Sequence, residues 1–214
     1  LPTSIGGDAL RVLDVAGLGF RKRDALYGVV VDRIAGLGAL MSLTLFAHIF
    51  SPYLLPIQIY RLILFLIAAG LISFLGIFLL SQTSWLDRYP KLAILRIISD
   101  RLLKAFSSHR LQLVGSSLLI PLLAMLGFFA TGWALGLRYD LMTYFAIVPP
   151  AIVLTIIPIS IAGWGVREGA LVGLFSLIGA NKTAVLMMSL LYGLTLIIVS
   201  LPGLVTFLKG RHHH

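Results

Sequence analysis

Long apolar runs, separated by short polar segments, set the rhythm of this chain. Five of them approach or exceed the ~20 residues a helix needs to cross a bilayer: Val29 to Phe50, Leu62 to Leu80, Leu113 to Leu135, Met142 to Ile157 and Thr183 to Leu208. Each is predicted to be a membrane-spanning helix. Ser51 to Tyr60, with Pro52, Pro56 and two tyrosines, is predicted to be a loop at one membrane surface. Gly136 to Asp140 is predicted to be a second turn, outside, with Trp133 and Tyr139 as aromatic-belt residues. Prolines punctuate the apolar runs. Pro121 should kink its span, Pro149-Pro150 and Pro158 should break the fourth, and Pro202-Gly203 should interrupt the last.

Three segments do not fit the spanning pattern. Residues 12–28 hold Asp14, Arg21, Lys22, Arg23 and Asp24 and are too polar to cross, so they suggest an interfacial or re-entrant helix. Residues 170–178 are apolar but too short. In Ser81 to Gln112, Leu92, Leu95, Ile98, Leu102 and Phe106 recur at helical spacing among six basic residues. That pattern predicts an amphipathic helix lying on the bilayer.

Composition settles the class. The chain is 59% hydrophobic and 12% charged, with mean hydropathy +1.02. A soluble domain of 214 residues cannot hide that much apolar surface. The expectation is an all-α polytopic membrane protein, with residues 1–211 as a single transmembrane domain and residues 212–214 as the remnant of a purification tag. The net charge of +9 does not point to nucleic acid, because the basic residues fall in the gaps between spans. Segments 21–23 and 88–110 are separated by two crossings and so share a side, which their charge makes cytoplasmic. With no cysteine and no P-loop, thiolate chemistry, disulfides and direct ATP use are excluded. His48 and His109 have no partner at metal spacing, so no metal or cofactor is expected.

Candidate chemistry sits in the stretch from Ile157 to Gly169, which contains Pro158, Ser160, Trp164, Arg167 and Glu168. Glu168 is the only glutamate in the chain. The stretch has a counterpart at the start, where Pro2, Ser4, Ile5, Gly7 and Arg11 face Pro158, Ser160, Ile161, Gly163 and Arg167 at a constant offset of 156. Gly36-Leu37 and Gly193-Leu194 extend the match weakly, at an offset of 157. A constant offset is the mark of an internal repeat. Because a full apolar span precedes the second copy, a helix is expected to precede Leu1 in the natural protein.

Each copy combines a proline, small residues and an arginine. Paired Gly/Pro-interrupted segments in corresponding positions of two halves point to a transporter's central site. A helix start beside an arginine suits an anion such as a lipid phosphate. The expected fold is therefore a helical bundle with two repeated broken or re-entrant segments. The expected headgroup site comprises Ser4, Asp8, Arg11, Asp32, Arg33, Ser160, Trp164, Arg167 and Glu168. Asp8 and Glu168 would balance charge or meet a cationic headgroup. Two alternatives stand beside this: Arg167 pairs internally with Glu168 or Asp8 and glues the repeats together, and Arg33 snorkels to headgroups.

The pattern Leu-Pro-Thr-Ser-Ile-Gly-Gly-Asp-Ala-x-Arg at residues 1–11, the run Val31-Asp32-Arg33-Ile34-x-Gly36-Leu37 and the motif from Pro158 to Gly169 resemble the flippase-like membrane family named for the transmembrane domain of bacterial lysylphosphatidylglycerol synthase. The resemblance covers essentially the whole chain. It implies a multi-pass protein of a bacterial or archaeal cytoplasmic membrane, often with about eight helices. It also implies a role in moving aminoacylated phosphatidylglycerol, or in hopanoid and polyprenyl-linked glycan pathways. No polar stretch matches the family's soluble lysine-transferring domain, so synthase activity is not carried over and no enzyme is expected. Membrane lipids are the expected partners, with a soluble synthase and a homo-oligomer left open. A membrane enzyme on lipid-linked substrates, using Asp8, Asp32 or Glu168, and a scaffold for a soluble synthase are the competing functions.

Overall fold

The computed structural model describes residues 12, 21–51, 54–82, 97–98, 110–155 and 165–210. All the regular structure among them is helical: α1 (Lys22–Phe50), α2 (Ile57–Ser81), α3 (Arg110–Ala134), α4 (Leu141–Leu154), α5 (Val166–Ser176) and α6 (Lys182–Gly210). Over the described residues, Arg23–Phe50, Gly115–Ala134 and Lys182–Gly203 are long and apolar enough to cross a bilayer, and Ile57–Ser73 and Leu141–Leu154 are shorter apolar stretches. The chain is thus an all-α, multi-pass membrane protein. It divides near residue 124 into two compact units, described separately below.

In the first unit, α1 and α2 pack as an antiparallel hairpin. Met41 of α1 reaches the backbone of Gly70 on α2, and the rings of His48 and Tyr60 lie 5.4 Å apart nearer the turn. The shared seam buries Val31, Ala39, Thr44, Ala47, His48, Ile63 and Ile67. The outer faces expose Phe46, Phe50, Phe65 and Ile72, as expected where lipid replaces water as the solvent. Hydroxyls are satisfied within their own helix: Ser42 donates to the carbonyl of Gly38 and Thr44 to that of Leu40, each at 2.8 Å.

Of the segment 12–28, residues 22–28 belong to α1, which starts at Lys22 and runs unbroken into the apolar span, while residues 13–20, where most of the expected interfacial helix falls, lie outside the described residues. Lys, Arg, Ala and Leu are good helix formers, and Asp24 in the first turn suits the positive helix end. Nothing in residues 22–28 stops the helix; their charges only place its first turns outside the hydrocarbon. The amphipathic segment predicted within 81–112 falls largely outside the described residues.

The second unit contains the end of α3, then α4, α5 and α6. The helix α4 is buried on nearly every side, including Thr143 to Pro149 and Ala151. Tyr144 organises it: its ring packs against Phe129 and Phe175, and its hydroxyl donates to the carbonyl of Leu137 at 3.2 Å. The ring lies where any Cβ on Gly132 would stand, so glycine is what lets α4 approach α3. Gly127 does the same for Tyr192 of α6, whose ring stacks on Phe128 with centroids 3.8 Å apart. Asp140 caps α4 by accepting from the Thr143 backbone at 3.0 Å and from its hydroxyl.

Two proline pairs behave differently from expectation: the helix α4 runs through Pro149-Pro150 to Leu154, with Thr155 as its C-cap, and α6 runs through Pro202-Gly203. α3 continues past Pro121, and Pro158 lies outside the described residues. A proline inside a helix costs one backbone hydrogen bond, and breaking the helix in lipid would expose several more. Where no water can take over the freed groups, continuity is the cheaper outcome. α4 has only 14 residues, about 21 Å at 1.5 Å per residue, so its described part falls short of a ~30 Å crossing.

Candidate functional site

The motif that begins at Pro158 enters the described structure at Gly165. There φ is +86° and ψ −50°, a conformation costly for any residue with a Cβ, and the helix α5 starts immediately after. Its first turn is Val166-Arg167-Glu168, so both charged residues of the motif are helical and the short helix starts earlier than the expected residue 170. The reason is local. Glu168 occupies the third helical position, and its carboxylate reaches back to accept the Gly165 N–H at 2.6 Å. This is one half of a capping box; glycine has no side chain to supply the other. The opposite end of α5 closes on Gly179, whose φ of +78° lets the Gly179 and Ala180 N–H groups return to the carbonyls of Ser176 and Phe175. Asn181 then caps α6 by accepting from the Ala184 N–H at 3.1 Å.

This tight α5–α6 hairpin brings Ser189 of α6 beside the motif. The Arg167 guanidinium donates from Nη2 to Glu168 Oε1 at 2.7 Å and from Nε to the same oxygen at 3.1 Å. It also donates from Nε to Ser189 Oγ at 3.0 Å and from Nη2 to the Ser189 carbonyl at 3.2 Å. Ser189 Oγ in turn donates to Glu168 Oε1 at 3.1 Å. Glu168 and Ser189 are buried, and the Arg167 side chain is 16% exposed. Oε2 therefore closes the helix while Oε1 takes the guanidinium and the hydroxyl.

Burial pushes the Glu168 carboxyl up, but hydrogen bonds from its own backbone N–H, from Arg167 and from Gly165, with the arginine's charge, outweigh it and hold the group below its ordinary value. Among the described residues, Arg167 and Glu168 form a neutral pair bonded to Ser189. Its arginine offers a forked donor suited to a phosphate or carboxylate, and its carboxylate offers an acceptor suited to an ammonium.

Of the expected site residues, the structure joins Arg167 and Glu168. Asp32 and Arg33 lie on exposed positions of α1, in the other unit, and each has an interaction partner. Ser4, Asp8, Arg11, Ser160 and Trp164 lie outside the described residues, and so does the expected approach of the two motif copies. Ser189 was not legible as a site residue. It is one serine in an apolar helix, and only the fold of the hairpin carries it to Arg167. Among the described residues no group of three metal-binding side chains occurs.

Both members of the second Gly-Leu pair, Gly193 and Leu194, lie in the 29-residue α6, and Gly36-Leu37 lie in the 29-residue α1. No curated protein and no solved structure matches the chain. A family model does, over residues 1–203, described as the lysylphosphatidylglycerol synthase TM region. With a match across nearly its whole length, the chain belongs to that family, as a membrane protein linked to lipid biosynthesis or transport.

Proposed function

We propose that this protein is a lipid translocase, moving a phosphate-containing or aminoacylated lipid between leaflets. The lipid would resemble lysyl-phosphatidylglycerol or be polyprenyl- or hopanoid-linked. It would perform no chemistry on the lipid itself, which a soluble synthase partner would supply. In this reading it resides in the cytoplasmic membrane of a bacterium or archaeon, with segments 21–23 and 88–110 on the cytoplasmic side. Arg11, Asp8, Ser4, Ser160 and Trp164 complete the headgroup site around Arg167 and Glu168.

One observation supports this best: the motif's arginine is stored as a neutral pair with Glu168, buried against Ser189. A lone guanidinium in an apolar bundle is expensive, whereas a paired one is tolerable. A headgroup phosphate can replace the Glu168 carboxylate on Arg167 without changing the number of charges on the arginine. The released carboxylate then suits the ammonium of an aminoacylated headgroup. With an aminoacylated headgroup each charge of the site keeps an opposite partner through the exchange, which is what a carrier of charged headgroups through hydrocarbon requires.

The test is leaflet exchange in proteoliposomes with headgroup-labelled lipids, anionic and aminoacylated. The reading expects accelerated exchange that Arg167→Ala abolishes. Exchange no faster than in protein-free vesicles, across all the lipids, would sink it. If a charge swap at Arg167 and Glu168 restores exchange, the arginine is structural and the headgroup role is lost.

A further inference from the structure

We propose that His48 is a buried proton-binding site at the turn end of the α1–α2 hairpin, with Nε2 as the atom that takes the proton. The imidazole is 1% exposed and sits in the last turn of α1. Its Nδ1 lies 2.9 Å from the backbone carbonyl of Thr44. A carbonyl can only accept, so Nδ1 carries the hydrogen, and the neutral ring is fixed as the Nδ1–H tautomer. That leaves Nε2 as a bare lone pair. It is fully buried and has no hydrogen-bond partner among the described residues. A buried acceptor with nothing to accept is uncommon in a folded protein and calls for a physical reason.

The surroundings decide what Nε2 receives. The one described titratable group facing the ring is Tyr60 of α2, tilted at 32° with centroids 5.4 Å apart. The Tyr60 hydroxyl is directed instead at the His48 carbonyl, at 3.5 Å. On α1, Thr44 supplies the carbonyl already named, and its own hydroxyl is turned back to Leu40. Arg61 follows Tyr60 and is exposed, about 100° around α2 from it. Asp32 and Arg33 lie at least 15 residues back along α1, roughly 22 Å away along the axis. No described group of three metal-binding side chains includes His48, so a protein-built metal site is not what the nitrogen serves.

A proton fits each of these features. The tautomer is set in advance, so protonation needs no rearrangement of Nδ1. The negative end of the α1 dipole favours a cation in the last turn. The ring lies in the last turn of α1, at the end of the span rather than in its middle. Once protonated, Nε2–H becomes a donor in a pocket whose described neighbours offer it no acceptor. The ring must then move to find one, loosening its packing on Tyr60. The site thus ties the packing of α1 on α2 to the acidity of the adjoining surface, whatever the protein transports.

Histidine NMR tests this directly. The protein is labelled with ¹⁵N-histidine, residues 212–214 are removed, and His48 is identified as the signal lost in His48→Asn. The asparagine retains an amide to meet the Thr44 carbonyl. The expectation is an Nδ1–H tautomer at alkaline pH, with both ring nitrogens shifting reversibly to imidazolium positions on acidification. An Nε2–H tautomer overturns the proposal. So do ring signals unmoved down to pH 5, and so does an Nε2 found hydrogen-bonded to lipid at every pH. None of these readouts depends on lipid exchange, so the proposal and the translocase reading fail separately.

Discussion

The two units bury polar groups in opposite ways. In the α5–α6 hairpin, Glu168, Arg167 and Ser189 are joined by five hydrogen bonds, and each carboxylate oxygen has a donor. In the α1–α2 hairpin, His48 is equally buried but one ring nitrogen is left open. The packing differs in step. In the second unit Phe128, Tyr144, Phe175 and Met188 are fully buried, and Tyr144 and Tyr192 close over two glycines. The α1–α2 seam has one close glycine approach, Met41 on Gly70. The contrast teaches that a charge is kept in an apolar bundle where the surrounding helices can be held rigid enough to satisfy it. A neutral ring tolerates a looser setting.

The largest effect expected on that contrast comes from removing the acid. Glu168→Ala breaks a buried pair and uncaps α5, and should lower stability by about 3 kcal/mol or more, read as a fall in Tm in detergent. The pH dependence carries a sign. A carboxyl held below its ordinary value stabilises the fold above the pH at which unfolded carboxyls ionise, and loses that contribution as pH falls through its lower folded value. The gap between wild type and Glu168→Gln should therefore be full at neutral pH and close below about pH 4. A gap that widens on acidification would contradict the pairing.

Next in size is Gly132→Ala. Its methyl would overlap the Tyr144 ring, so a loss of about 1–3 kcal/mol is expected from overpacking. No change in Tm would mean that α4 is not held to α3 by this ring. Ser189→Ala should cost about 1 kcal/mol, because the backbone carbonyl still accepts from Arg167. It should leave the hairpin folded while weakening the Arg167–Glu168 pair. The smallest effect is Asn181→Ala, about 1 kcal/mol or less from the lost cap, seen as faster amide exchange in the first turn of α6 with the Arg167 cluster unchanged.

Most of the helices were legible in the sequence, because hydropathy alone separates a spanning run from its flanks. Leu113 to Leu135 became α3 within three residues at its start and one at its end. The prolines misled. Rules for proline are learned where water can satisfy a freed carbonyl, and α4 and α6 run in a setting where it cannot. The Arg167–Glu168 pair was foreseen as one of two alternatives from adjacency in sequence. Its geometry was not foreseen, since neighbours on a helix diverge by about 100°. They meet because Glu168 turns back toward Gly165 and the arginine follows it. Ser189 lay beyond reach of the sequence, since a serine 21 residues away is brought in only by the sharp Gly179 turn.

One consequence follows from the two oxygens of Glu168. The same carboxylate fastens the first amide of α5 and holds the arginine, so the two jobs are thermodynamically linked. Whatever draws Glu168 away from Arg167 also loosens its grip on Gly165. The exchange rate of the Gly165 amide with solvent deuterium is therefore a built-in gauge of how often the charge pair is open, readable without a labelled lipid or a bound ligand.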